Sequence, residues 1–116
     1  MESYKLVLPE HLNHGGFLFG GNMLKWTDEY AWIAATMGYP GCNFVTIGME
    51  QVHFMQPVRE GTILRFVADC KKIGSSSVHY TIHVYRESDE AKLENLIFSA
   101  VIAFVRLDER GNKLPL

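Results

Sequence analysis

Residues Asn13 to Glu29 (Asn-His-Gly-Gly-Phe-Leu-Phe-Gly-Gly-Asn-Met-Leu-Lys-Trp-Thr-Asp-Glu) gather more chemistry than any other stretch of the chain. The amide of Asn13 is followed by Gly15, Gly16, Gly20 and Gly21, and these lead into an apolar segment that carries Asp28 and Glu29. A helix entered through glycines presents backbone N–H groups with no intrahelical partner, and such groups can hold a developing negative charge. A carboxylate on a largely buried helix costs free energy unless it has a partner or a task. Amide donors and a carboxylate in one segment suit hydrolysis at a carbonyl carbon. Plain turn glycines are the competing reading, but four within seven residues exceed what one tight turn needs, which favours close approach of a ligand.

The elements that must position these groups are legible from periodicity. Met23, Trp26, Tyr30, Ala34 and Met37 recur at three- and four-residue intervals, so the spacing predicts one amphipathic helix from about Asn22 to Met37, capped by Asn22 or Gly21. Gly38-Tyr39-Pro40-Gly41 stops it. Beyond lie four runs rich in Val, Ile, Phe, Tyr and Thr: Phe44 to Phe54, Thr62 to Lys72, Ser77 to Arg86 and Leu96 to Leu107. Ile73-Gly74-Ser75-Ser76 joins two of them as a hairpin, and Tyr4 to Leu8 supplies a first strand. One helix and about five mostly antiparallel strands can bury the helix only if the sheet curls around it, an α+β arrangement. The last strand is apolar on both faces, and Val101, Ala103 and Val105 are expected to meet another subunit.

Bulk properties narrow the classes. The 116 residues fit one domain, 1–116, and 47% hydrophobic content builds a core without a metal or disulfide staple. A net charge of −2 argues against nucleic acid as a partner. Cys42 and Cys70 stand far apart with no CxxC pattern, which disfavours a metal site and reads as reduced cysteines. No run reaches the roughly 20 apolar residues of a membrane span, and the N-terminus lacks the apolar segment of a secretion signal. The expectation is a cytoplasmic protein with no membrane partner.

The loop-helix segment, together with Val45-Thr46-Ile47-Gly48-Met49-Glu50, Phe54-Met55-Gln56-Pro57-Val58-Arg59-Glu60-Gly61 and Gly74-Ser75-Ser76-Ser77-Val78, resembles the hot-dog-fold acyl-CoA thioesterases, most nearly the small bacterial acyl-CoA hydrolases. That family's Asn-x-x-Gly-x-x-Phe-Gly-Gly pattern, followed by a helix bearing Asp-Glu, falls on Asn13, Gly16, Phe19, Gly20, Gly21, Asp28 and Glu29. The likeness runs through essentially the whole chain in order. It implies a hot-dog fold, an acyl-CoA substrate, no separate cofactor, and a homodimer with a continuous sheet that assembles further, to a trimer of dimers or a tetramer.

Within that resemblance Asp28 is the general base or nucleophile, Gly20 an oxyanion donor, and Asn13 the polar group that orients the water or carbonyl. Gly21, Gly74, Ser75, Ser76 and Ser77 are expected to contact CoA, with Arg59, Lys71 and Lys72 as candidate phosphate partners. Gly20 and Asp28 lie eight residues apart, about 12 Å along a helix, so both cannot touch one thioester from the same chain. The site is therefore expected to be composite, with Asp28 lent by a neighbouring subunit.

Simpler readings stand beside each of these. Asp28 can be a solvated residue paired with Lys25 or Lys5, and Glu29, about 100° away around the helix, a surface residue. Asn13 can be a turn residue closed by its own side chain, and Ser75 to Ser77 a plain hairpin turn. His79 and His83 share a strand face but lack a third ligand, so they read as surface or interface residues. His14, ahead of Asp28, opens a rival reading as an acyl-thioester dehydratase or hydratase, against which the missing proline-bracketed glycines count. A non-catalytic acyl-CoA-binding protein is the third reading.

Overall fold

The computed structural model describes residues 1–87 and 95–116. Strand β1 (Glu2–Leu6) is followed by a short 3-10 turn at Pro9–His11, helix α1 (Gly20–Gly38), and strands β2 (Phe44–Phe54), β3 (Ile63–Ile73), β4 (Ser77–Arg86) and β5 (Leu96–Arg106). The strands form one sheet in the order β1-β3-β4-β5-β2, with every neighbouring pair antiparallel.

The helix forms where the sequence periodicity predicts, but it starts two residues earlier than expected. Gly20 and Gly21 belong to its first turn, and Phe19, in extended conformation, is the cap. Asn22 is therefore not the cap. Its side-chain Nδ2 donates instead to the carbonyl of His11 at 3.0 Å. Met23, Trp26, Thr27, Ala31, Ala34 and Ala35 form the buried stripe, and the alanines let the sheet come close. Gly38 and Pro40 end the helix, with the Tyr39 N–H returning to the Ala35 carbonyl.

The helix touches β2, β3, β4 and β5, strands that would span about 14 Å in a flat sheet, so the sheet curves around it. Leu64, Phe66, Val78, Ile82, Val84, Phe98, Ile102 and Phe104 line the inner face and are essentially unexposed. Each aromatic among them contributes about 1.5–3 kcal/mol by leaving water. This alternation in β4 is the one visible in its sequence, Val78, Tyr80, Ile82 and Val84 inward.

Val101, Ala103 and Val105 are only 3%, 8% and 4% exposed within the single chain. Strand β5 is an interior strand, paired with β4 on one side and β2 on the other. Glu50, Thr81 and His79 stand beside Val101 and Ala103 in register and narrow their access to water. The sheet has two edge strands: β1 pairs only with β3 and leaves Tyr4 and Leu6 exposed, and β2 pairs only with β5 and leaves Val45, Ile47 and Phe54 exposed. Two register shifts bend β2, one between Thr46 and Gly48 and one between Glu50 and His53, and Gln51 takes φ +52° at the second.

Candidate active site

The glycine-rich loop is a small hairpin in its own right. Leu12 and Leu18 bridge at its base, the Asn13 N–H donates to the Phe17 carbonyl (2.7 Å), and Gly16 N–H closes the tip onto the Asn13 carbonyl (3.1 Å). Gly16 sits at φ +83°, where a side chain is strained even though the space is open. Leu18 N–H docks the loop onto the Val58 carbonyl at 2.7 Å. The His11 carbonyl receives both the Phe19 N–H (2.9 Å) and the Asn22 Nδ2, which sets where the helix begins. Among the described residues no side chain caps the helix, so the N–H groups of Gly20 and Gly21 have no partner.

Asn13 does what the turn reading asks. Its Oδ1 accepts from the N–H groups of Gly15 (2.9 Å) and Phe17 (3.1 Å). With the carbonyl oxygen occupied, Asn13 can serve a substrate only as a donor, through Nδ2. It also lines a cavity of about 380 Å³ together with Gly20, Met23, Phe54, Val58 and Ile97. Gly21 does not line it. A Cβ on Gly21 would meet the Phe19 ring at 2.7 Å, so that glycine makes room for Phe19 rather than for a ligand.

Asp28 stands elsewhere. It is half-buried, and the Thr46 hydroxyl donates to its Oδ1 at 2.6 Å, the length of a charge-assisted bond. Neither lysine pairs with it: the ion pairs among the described residues join Arg65 to Glu2 and Glu87, and the Lys5 ammonium sits 5.3 Å from the centre of the Trp26 ring. A second cavity of about 350 Å³ is lined by Asp28, Glu29, Trp32 and Ile33. The Trp32 indole is fixed there by its Nε1–H to the Phe44 carbonyl (3.0 Å). Among the described residues no group of His, Cys, Asp and Glu could hold a metal ion, and no helix is long and apolar enough to cross a membrane. Two tyrosine phenols are pushed upward, Tyr30 by burial and then Glu29, and Tyr80 by burial and then Cys70 and Tyr39; neither lines either cavity.

The remaining predicted contacts divide between the two ends of the sheet. The Arg59 guanidinium lies 4.7 Å from the Phe17 ring centre, at the loop end. Gly74 to Ser77 lie at the opposite end. Thr46 and Val78 both flank Phe104, whereas Phe54 and Val84 flank Phe98 six residues away, about 20 Å along the strand. Lys72 belongs with the serines and is exposed. At Gly74 a Cβ would meet the Ser77 Oγ at 2.5 Å, and the Ser75 and Ser76 carbonyls receive the N–H groups of Leu116 and Arg106, both at 2.8–2.9 Å. The structure thus brings Asn13, Gly20 and Arg59 together at one end, and sets Asp28 with Thr46 toward the end that carries Lys72 and Gly74 to Ser77.

Sequence reasoning missed Thr46 and His11 and gave Asn22 the role of a cap. Thr46 had a signal, since it is a hydroxyl on the helix-facing side of a strand otherwise filled by Phe44. His11 acts through its backbone carbonyl, which no residue type reveals, and Asn22 by donating its side-chain amide to that carbonyl.

The sequence profile of the Thioesterase superfamily matches residues 15–92. The chain belongs to that superfamily. Acyl-coenzyme A thioesterase 11 of Mus musculus is 33% identical over 99% of this chain, although the chain spans only 20% of that protein's length. An acyl-CoA hydrolase from Staphylococcus aureus, solved with butyryl coenzyme A, coenzyme A and coenzyme A disulfide, superposes with a TM-score of 0.87 at 28% identity, covering 99% of this chain and 70% of that one. The same enzyme has been solved with an aspartate, a threonine or an asparagine replaced by alanine. A hexameric thioesterase from Yersinia pestis superposes with a TM-score of 0.88 at 26% identity, over 98% and 92% of the two chains. A hotdog-fold thioesterase from Campylobacter jejuni superposes with a TM-score of 0.85 at 26% identity, over 98% and 87% of the two chains, so the one-helix, five-strand architecture is the hot-dog fold.

Proposed function

We propose that this thioesterase-superfamily chain hydrolyses acyl-CoA thioesters to free CoA and a carboxylic acid in a site shared between two copies. The separation of Asn13 and Gly20 from Asp28 and Thr46 carries this reading, since neither half alone offers both an oxyanion donor and a carboxylate. Antiparallel pairing of two free β2 edges about a two-fold axis sets the Phe54 end of one copy beside the Thr46 end of the other. The hexameric Yersinia pestis relative supports assembly beyond a monomer, and a homodimer, stacked further into a trimer of dimers or a tetramer, fits the free edge.

In this reaction the thioester oxygen sits against the Gly20 N–H and the Asn13 Nδ2 donor, which strengthen their hydrogen bonds as negative charge develops. Thr46 holds Asp28 Oδ1, so Oδ2 faces the substrate and attacks the thioester carbon or takes a proton from a water that does. The tetrahedral intermediate collapses by breaking the C–S bond, and the CoA thiolate leaves and is protonated. On the water route this gives the carboxylic acid directly. On the direct-attack route it leaves a mixed anhydride on Asp28, which a water then hydrolyses to the acid and the free carboxylate. Gly74 to Ser77 with Lys72 meet the polar arm and phosphates of CoA, with Arg59 contributed from the loop end of the other copy. The reading needs no cofactor and suits a cytoplasmic enzyme.

Release of free thiol from acyl-CoA, followed for wild type and Asp28→Ala, tests it. Wild type should turn over and the variant should lose about 10²–10⁴-fold in kcat/KM. A His14→Ala variant should keep most of the activity, because His14 is exposed and lines neither cavity, whereas a dehydratase would lose it. No thiol release from any acyl-CoA by wild type overturns the reading and favours a binding protein.

A further inference from the structure

We propose that the cavity at the helix N-terminus takes the acyl chain and that Phe54 is the residue that sets the chain length accepted, an inference that rests on the thioester-hydrolase reading above. Phe54 is the side chain that both borders the oxyanion donor and walls the cavity. A Cβ placed on Gly20 would lie 3.6 Å from its ring, and the same ring lines the cavity beside Met23 and Ile97. An edge-on contact with Phe98, 4.9 Å between ring centres, holds it in place. An acyl chain leaving a carbonyl carbon bound at Gly20 must therefore turn past this ring.

The chemistry of the lining selects the acyl chain over the CoA arm. Met23, Val58 and Ile97 form a buried apolar floor, 2%, 3% and 1% exposed, which suits methylenes and not the amides of pantetheine. The polar lining comes from Asn13, assigned above to the carbonyl, and from Gln56, whose Oε1 is engaged by Arg86 at 3.0 Å. At about 30 Å³ per water- or methylene-sized group, the 380 Å³ holds on the order of a dozen such groups. That capacity matches short and medium chains. Met23 and Met55, unbranched and adaptable, let the walls close on chains of different length, so the expected profile is a broad plateau with a sharp fall rather than a single optimum.

The test is kcat/KM for acetyl-, butyryl-, octanoyl-, lauroyl- and palmitoyl-CoA with wild type, Phe54→Ala and Phe54→Trp. Because Phe54 touches the buried Phe98 and lies on the β2 edge that the shared site would pair, thermal melting and gel filtration first establish that each variant keeps its fold and assembly. Phe54→Ala should raise the palmitoyl-to-butyryl ratio by about tenfold or more, and Phe54→Trp should lower the octanoyl-to-butyryl ratio by a similar factor. Variants that fold but scale all chain lengths by one common factor overturn the assignment while leaving the hydrolase reading intact. A wild type that cleaves none of the five esters overturns that reading, and this inference with it.

Discussion

The loop end of the molecule and the carboxylate end are built on different terms. At the loop end, Asn13, His11, Phe17, Gly16 and Leu18 tie one short segment together through hydrogen bonds of 2.7–3.1 Å, so the donors are set by local structure within one chain. At the carboxylate end a single 2.6 Å bond from Thr46 steadies Asp28, on an edge strand whose outer side is open. Donors that must not move are preorganised by the loop. Asp28, the acid–base group of the proposed mechanism, is left beside an edge that a second copy can complete, as the proposed shared site requires.

The sharpest way to break this comparison is to mix two dead proteins. Asn13→Asp and Asp28→Ala, each inactive alone, should recover about a quarter of wild-type activity when co-refolded, since half of randomly formed dimers are mixed and each keeps one intact site of two. Thiol release in the mixture measures it, and a mixture as dead as its parts would mean that each chain works alone.

Asn13→Asp by itself separates loop shaping from chemistry. Its carboxylate still accepts from Gly15 and Phe17, but the Nδ2 donor is gone, so kcat should fall by about 10²–10³ with an unchanged circular dichroism spectrum. A smaller effect is expected on the other side. Thr46→Val removes a hydrogen bond to a charged group, a loss of about 1.5–3 kcal/mol that should appear in kcat as a drop of roughly tenfold or more and be restored by Thr46→Ser. Equal loss in the serine variant would show that Thr46 only packs. The mildest change is Gly16→Ala. Nothing lies within 4 Å of the new Cβ, so its cost is backbone strain alone, about 1 kcal/mol, read as a fall of several degrees in Tm.

Much of this was legible in the residues, for identifiable reasons. The three- and four-residue spacing from Met23 to Met37 and the β-rich runs give element positions to within a few residues, because burial of one helix stripe and one sheet face leaves a periodic trace. Helix caps leave a weaker trace: Asn22 resembles a cap by type, yet its amide is drawn away by the His11 carbonyl. What stands beside Val101 and Ala103 leaves no local trace either, since only sheet register sets Glu50, Thr81 and His79 there and makes β5 an interior strand.

The chain's order of residues determined on its own that a donor-rich loop and a carboxylate would occupy one helix too far apart to meet. Helical rise is a property of the backbone, and counting eight residues is enough to know it. Only the tertiary structure decided which groups stand together. Strand order and register made β2 an open edge, brought Thr46 to Asp28, placed Phe54 against Gly20, and sent the serine turn to the opposite end from the loop. Those pairings come from contacts between segments distant in sequence, and such contacts are selected by packing and register rather than by local residue type.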